Sequence, residues 1–322
     1  MVMDGRPRRG SLEFYPRKRA KRIYPVISSY PESEKTKIPL FAAYKVGMVH
    51  VSLIDTKKSS ISSGQEIAVP ATVLDCPPIK VVGVRAYKNT TKGLKAFSES
   101  WTKDLPKDLA RKVKMGKAPD KLSEIEKNLE KISKIRLIVC TQPKLSGIGK
   151  KKPEIFEIEI SGKDVKDKLE FAKQNLGKEL NVKDVMKEGE LVDAVAVTKG
   201  KGMAGVVKIF GVRIQDRHAK KKLRHIGTLG PQTPGKVRWT VPLAGQLGFQ
   251  TRTELNKRVL KIGEGKEINP KSGFKRYGII KSNYLLLEGS IPGSKKRLIM
   301  LRTAIRPSKI KLLVSEIKEI VS

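Results

Sequence analysis

Gly200-Lys201-Gly202-Met203-Ala204-Gly205 has the spacing of a GxGxxG phosphate turn and follows a strand-like stretch. In a dinucleotide site that turn opens a helix whose N-terminus holds a pyrophosphate, and an acid about 20 residues on holds the ribose. Here Val206–Gly211 reads as extended chain, and the later position falls in Lys221-Lys222-Leu223-Arg224-His225. Both requirements fail, so the glycines are expected to form a turn where backbone lies close to RNA phosphate, with Lys199, Lys201 and Lys208 alongside. Gly293-Ser294-Lys295-Lys296 lacks the first half of a GxxxxGK(S/T) loop and reads as a basic hairpin turn.

Metal ligation would have to use His50, His218 and His225. His50 lies in a strand pattern and is expected to be packed or hydrogen-bonded. His218 and His225 are seven apart in a lysine-rich run, with no cysteine or carboxylate pair at ligand spacing. Neither has a nucleophile and an orienting acid beside it. Contact with phosphate or base is the expectation for both. The acids offer no catalytic pair either: Glu254 is the sole acid between Asp216 and Glu264. A metal-dependent nuclease needs several acids converging in its basic groove. The expectation is a protein with no enzymatic activity, no cofactor and no metal. Trp239 follows the turn-rich Gly230–Gly235 and leaves two readings open: a small satellite core under the loop, or an exposed ring that meets an unstacked base. Trp101, in a mixed-charge region, reads as packing.

These residues sit in a segment, Lys199–Lys261, that holds 15 Lys or Arg and only two acids, Asp216 and Glu254. Gly and Pro recur through its middle and bar a long helix or strand. An irregular segment of this length is functional or disordered. Yet Phe210, Leu223, Ile226, Leu229, Trp239, Val241, Leu243, Leu247 and Phe249 are spread along it. Basic, irregular and partly apolar chain implies a loop ordered by a large polyanion. The whole sequence agrees: its net charge is +36, where solubility needs a magnitude of only about 2 to 8. With a pI near 10.2, nucleic acid is the expected partner.

The elements that must position this segment are mostly strands. Residues 1–30 form an extended basic arm, eight Lys or Arg against two acids, broken by Pro7, Pro16 and Pro25. Leu12, Phe14, Tyr15, Ile23 and Tyr24 give that arm something to pack or stack in a groove. Ile38–Asp55, Ile67–Leu74 and Ile79–Tyr87 read as strands, with a bulge or bend at Gly47. Between residues 100 and 190 the charges nearly balance, 16 acids against 22 Lys or Arg. Helices are expected at Asp104–Met115, Asp120–Ile132 and Asp164–Leu176, the second carrying the stripe Leu122, Ile125, Leu129, Ile132. Strands are expected at 134–143 and, strictly alternating, at 154–161. Strand pattern resumes over 189–202 and returns around Gly289 within 276–305. Ser308–Val321 shows a weak helical stripe at Ile310, Leu313, Ile317 and Ile320. Strands on either side of an α+β insertion point to a closed barrel, which removes exposed edges. Cys76 and Cys140, 64 residues apart, require no disulfide framework and fit a reducing interior. No run of about 18 apolar residues exists to span a membrane, and the basic N-terminus lacks the apolar stretch of a secretory signal.

Residues 8–20, 41–51 (FAAYKVGMVHV), 197–212 (VTKGKGMAGVVKIFGV), the Trp239 segment and 244–263 (AGQLGFQTRTELNKRVLKIG) together resemble the universal "L three" family of large-subunit ribosomal proteins, in its archaeal and eukaryotic form. The motifs keep their order over most of the chain. The resemblance implies a mainly β protein: a six-stranded Greek-key β-barrel of the translation-protein type, an inserted α+β domain, and long basic extensions into rRNA. The implied domains are an arm at 1–37, a barrel at 38–88 and 189–306 containing the 199–261 extension, an insertion at 89–188 and a tail at 307–322. The family's central extension runs toward the peptidyl-transferase region with a tryptophan at its tip, and Trp239 falls at that place. Where eukaryotic members have a histidine in the basic run, this chain has Lys220. The implied function is a structural constituent of the large ribosomal subunit that binds 23S-type rRNA and nucleates early assembly. Its partners would be that rRNA and neighbouring large-subunit proteins, without membrane or homo-oligomer, in the cytoplasm. Expected RNA contacts are Arg8, Arg9, Arg17, Lys18, Arg19, Lys21, Arg22, Lys199, Lys201, Lys208, Arg213, Arg217, His218, Lys220, Lys221, Lys222, Arg224, His225, Arg238, Trp239, Gln246, Arg252, Lys257 and Arg258. The competing class is an RNA-modifying or nucleotide-using enzyme with a basic groove, and a weaker one a DNA-binding protein.

Overall fold

The computed structural model describes residues 9–56, 60–114, 121–308 and 317–321. The expectations for Arg8, Met115, Asp120, Ile310 and Leu313 lie outside them. In chain order the strands are β1 (Leu40–Ile54), β2 (Glu66–Cys76), β3 (Ile79–Thr90), β4 (Gly93–Trp101), β5 (Lys134–Thr141), β6 (Ile155–Glu159) and β7 (Glu179–Leu180). They continue with β8 (Leu191–Val197), β9 (Gly200–Ala204), β10 (Gly245–Gly248), β11 (Thr251–Glu264), β12 (Asn283–Glu288), β13 (Leu298–Thr303) and β14 (Ile317–Val321). Helices are few and short, so the chain is mainly β.

The largest sheet runs β13-β8-β11-β12-β2-β1, and β13 also pairs with β1, so the hydrogen-bonded path returns to its start. β1 can serve both neighbours because it is long and bent. Leu40–Tyr44 pairs with β13, Tyr44–Ile54 pairs with β2, and the register shifts between Lys45 and Gly47, at the expected bulge. The far end of β1 pairs with β14. Tyr44, Phe41, Leu74, Tyr284 and Leu301 are buried within this sheet. Each such side chain contributes about 1.5–3 kcal/mol relative to an exposed one. A buried ion pair joins two of its strands: Arg302 Nη2 lies 2.8 Å from Asp193 Oδ2. Ser29, whose carbonyl and hydroxyl accept from Arg302 Nη1, and the backbone N–H of Asn256 and Ile305, which donate to Asp193, satisfy most of the remaining groups, and the buried Arg302 Nε has no hydrogen-bond partner among the described residues. Asp75 in β2 accepts from the hydroxyls of Tyr277 (2.6 Å) and Ser282. Burial pushes its carboxyl above the usual carboxylate range, against the opposing pull of those donors.

A second sheet has the order β4-β3-β5-β6, with β7 on β3. The strand expected to continue the first sheet, Ile79–Tyr87, belongs here instead. Pro77 and Pro78 follow β2 directly and cannot donate ladder hydrogen bonds, so the chain leaves the first sheet before β3 begins. Leu137, Ile158, Leu169 and Ala172 are buried where the helix Val165–Asn175 covers this sheet. That helix starts after Asp164 and ends before Gly177 (φ 81°), as its sequence predicts. The helix at Leu122–Lys127 is shorter than expected and passes into a tight turn at Leu129–Lys131, with Ile125 and Ile132 buried. The described part of the helix expected at Asp104–Met115, residues 104–114, is not an α-helix. Only the 3-10 turn Lys107–Arg111 forms, and Leu109 is its single buried residue, too little to hold a longer helix in place. Ile317–Val321 is strand rather than helix, because its β-branched residues pair with β1. Trp101 packs, as expected, beside Val82, Leu109, Ile138 and Cys140.

The chain divides into two compact units: residues 1–22 with 197–252, and residues 23–196 with 253–322. The stretch 189–202, where strand pattern was expected to resume, holds β8 and the start of β9. The two larger sheets, apart from the ends of β8 and β11, lie in the second unit.

Candidate nucleic-acid interface

The first unit is made of two chain segments far apart in sequence. Residues 1–22 carry eight Lys or Arg and two acids; residues 197–252 carry twelve and one. The arm enters as a 3-10 turn, Leu12–Phe14, capped by Ser11 Oγ, which accepts from Glu13 N–H at 3.2 Å. Its aromatic residues then serve as platforms for cations. The Arg17 guanidinium lies 4.8 Å from the Tyr15 ring centre and 5.0 Å from that of Phe210. Arg252 lies 4.3 Å above Phe14. Ala20 N–H donates to the Phe249 carbonyl at 2.8 Å, which ties the arm to the end of β10.

Val206–Phe210 is a short helix, not the extended piece its Val-Val-Lys-Ile run predicts. Val206 and Phe210 are buried, and that burial outweighs the weak helix propensity of β-branched residues. The helix ends at Gly211 in the left-handed region (φ 61°), with the Arg9 side chain packed against it. One requirement of a dinucleotide turn is thus met, but the acid about 20 residues on is still lacking. A side chain at Gly202 or Gly205 would meet nothing within 4 Å, so backbone there is open to approach. Gly248 differs: β10 bends so close to β9 that a Cβ would collide with the Lys199 carbonyl.

Arg9, Lys18, Arg19, Lys21, Arg22, Lys199, Lys201, Lys208, Arg213, Arg217, Lys220, Lys221, Lys222, Arg224 and Arg238 are exposed in this unit, as are His218 and His225. Arg17, Gln246 and Arg252 are half-buried. Asp216 caps the turn Arg217–Lys222 by accepting from His218 N–H at 3.0 Å, and lies 3.7 Å from the His218 ring. Trp239 is 65 % exposed, which removes the satellite-core reading; its ring stands edge-on to Tyr15 at 5.8 Å between centres. Among the described residues neither Arg17 nor Arg252 has a carboxylate partner. Partial burial, and then the charge of Arg17, hold Arg252 below the usual guanidinium range.

Two expected contacts lie in the second unit. Lys257 sits 3.6 Å from Glu254. Arg258 is buried at 4 % exposure, and its Nη2 donates to Thr56 Oγ1 at 3.3 Å, which leaves it little surface for RNA. A basic run along β11 does not reveal which of its alternating side chains turn inward. His50, expected to be packed or hydrogen-bonded, is exposed on β1.

A family model described as ribosomal protein L3 matches residues 2–321. The chain belongs to this family. Among its relatives, the large ribosomal subunit protein uL3 of Methanopyrus kandleri is 50% identical over 315 residues, covering 95% of this chain and 87% of that one. The uL3 of Methanocaldococcus jannaschii is 49% identical over 318 residues, covering 97% and 95%. That of Methanosphaera stadtmanae is 45% identical over 329 residues, covering 99% and 98%. Family membership is what the sequence resemblance implied. What sequence reading missed is the support beneath the cations. Phe14, Tyr15 and Phe210 are visible as aromatic residues in basic surroundings, and Arg17 over Tyr15 is a local contact, but Arg17 over Phe210 and Arg252 over Phe14 depend on bringing distant segments together. Lys236, also exposed here, was passed over.

Proposed function

We propose that the chain is a structural constituent of the large ribosomal subunit and binds its 23S-type rRNA directly through the first unit. One observation carries this reading: two distant segments, with 20 Lys or Arg and three acids between them, converge on a single irregular unit. Each exposed cation can neutralise a phosphate and release counterions. The role is scaffolding, not enzymatic chemistry, and its place is the ribosome in the cytoplasm. The returning sheet is read as a six-stranded Greek-key barrel of the translation-protein type over 38–76 and 189–306, with 1–37 as arm, 77–188, which includes β3, as insertion and 307–322 as tail. By bridging separate rRNA segments the protein would nucleate early assembly beside neighbouring large-subunit proteins. The Trp239 segment would reach toward the peptidyl-transferase centre and tune its shape. The chain acts as a single copy away from membranes; no helix among the described residues is long and apolar enough to cross one.

Sedimentation of a native lysate through sucrose, with every fraction probed for this chain, tests the reading. Near-complete migration with large subunits through a moderate salt wash is expected. Protein left at the top of the gradient would overturn it.

A further inference from the structure

Three loops of the second unit, 143–153, 269–282 and 289–297, hold eleven Lys or Arg and no acid. The fold joins them. Gly147 in the first loop packs so closely on the second that a Cβ there would lie 2.4 Å from the Ile279 carbonyl oxygen. Lys295 in the third donates to the Lys275 carbonyl in the second at 2.9 Å. Lys45 of β1 holds the third loop by donating to the Ile291 and Gly293 carbonyls. Asn269 closes the second, exchanging two hydrogen bonds of 2.9 Å with the backbone of Ile280. The buried Asp75 clasps the first loop to the second: it accepts from the Tyr277 and Ser282 hydroxyls and from the Gly147 N–H. Loops tied in this way lose little freedom when a partner arrives. Lys144 and Lys150 pair with Asp108 and Glu154, outside the loops. Lys271, Lys275, Arg276, Lys281 and Lys296 are exposed and have no carboxylate partner among the described residues. Leu145 and Ile279 are the only large apolar side chains that the described loops expose. A protein interface centres on aromatic and aliphatic residues and is poor in lysine, whereas nine of these eleven cations are lysines. The chemistry fits phosphates.

We propose that these loops form a second RNA-binding face, outside the first unit and set in shape by Asp75, on which phosphates meet Lys271, Lys275, Arg276, Lys281 and Lys296. The proposal rests on the rRNA-binding reading and adds to it a separate, preformed foothold. With one face engaged, the other meets its RNA at high effective concentration.

The test binds the full-length chain to deproteinised large-subunit rRNA by filter binding across a salt series. Replacing Lys271, Lys275, Arg276 and Lys296 with Gln should make the slope of log K against log salt shallower by about three. Combined with Gln at Lys18, Arg19, Lys21 and Arg22, the change should grow to about six, because the two faces are separate. Gln at Lys127, Lys131, Lys166 and Lys183 should leave the slope as it was. In parallel, lysine acetylation read by mass spectrometry should show Lys271, Lys275, Lys281 and Lys296 protected by the rRNA, along with Lys18 and Lys21. Asp75→Asn keeps every surface cation; it should lose the loop protection while Lys18 and Lys21 stay protected. Unchanged loop protection in that variant overturns the part given to Asp75. A loop variant with the wild-type slope overturns the second face, while the effect of the arm variant keeps the rRNA reading standing. Loop lysines that react freely in the rRNA complex but are protected in intact large subunits also overturn it, and give the face to a protein partner. Failure of the unaltered chain to bind rRNA at low salt would instead strike the rRNA reading itself.

Discussion

At the scale of single residues, the sequence shows charges without showing which are structural. Asp193 stands in a run of Val and Ala, and Arg302 lies 109 positions later; nothing local marks them as partners. In the fold they are almost fully buried, and Ser29 and Asn256, which hydrogen-bond to them, come from distant parts of the chain. A buried pair of this kind need not add net stability, because both ions lose their hydration. Removing one partner is another matter, since it strands the other charge. Asp193→Ala is therefore expected to cost about 3–5 kcal/mol in urea unfolding. Adding Arg302→Met should recover much of that loss. If the double variant is as unstable as the sum of the single ones, the two side chains are not coupled. Arg258 teaches the same lesson from the other direction: it reads as one more exposed cation, and in the fold it is buried, its Nη2 donating to Thr56 Oγ1.

At the scale of elements, legibility followed how local the deciding interactions are. β5, β6 and the helix Val165–Asn175 were readable because alternation, a start at Asp164 and a stop at Gly177 are written into neighbouring residues. β3 was readable as a strand, but not its sheet, since pairing is settled by the Pro77-Pro78 break and by β5 more than 40 residues on. The helix Val206–Phe210 was hidden because its burial, not its propensity, makes it helical. Part of that burial comes from the arm: Gly10 and Arg17 lie against the Phe210 ring. The arm is thus a structural part of the first unit as well as a carrier of charge. Deleting residues 1–22 is expected to expose Phe210, Trp239 and Phe249. Limited proteolysis should then cut first within 197–252, at least about tenfold faster than in the full chain, with 23–196 and 253–322 still protected. Unchanged cleavage would mean that 197–252 orders itself without the arm, and that the cation–ring contacts are incidental.

At the scale of the whole molecule, what matters is where the charge lies. Residues 100–190 carry 22 Lys or Arg but offset them with 16 acids. Many of these meet in ion pairs on the second sheet, such as Arg136 with Glu157 and Glu159 at 3.3 Å. The first unit has no such offset, so its self-repulsion is relieved only by a polyanion. The location of the excess, more than its size, predicts how binding responds to salt. If about ten of its cations each meet one phosphate, log K should fall against log salt with a slope of about −7 to −9. Replacing Lys18, Arg19, Lys21 and Arg22 with Gln should then make the slope shallower by roughly three. Replacing the exposed Lys127, Lys131, Lys166 and Lys183 with Gln removes the same formal charge from the balanced region and should leave the slope as it was. The comparison is made on rRNA fragments by filter binding across a salt series. Because both variants lose four charges, a general net-charge effect moves the two slopes together, and only a localised interface separates them. Equal shifts would show that RNA is held by the field of the whole chain, and that the convergence of its two basic segments serves folding instead.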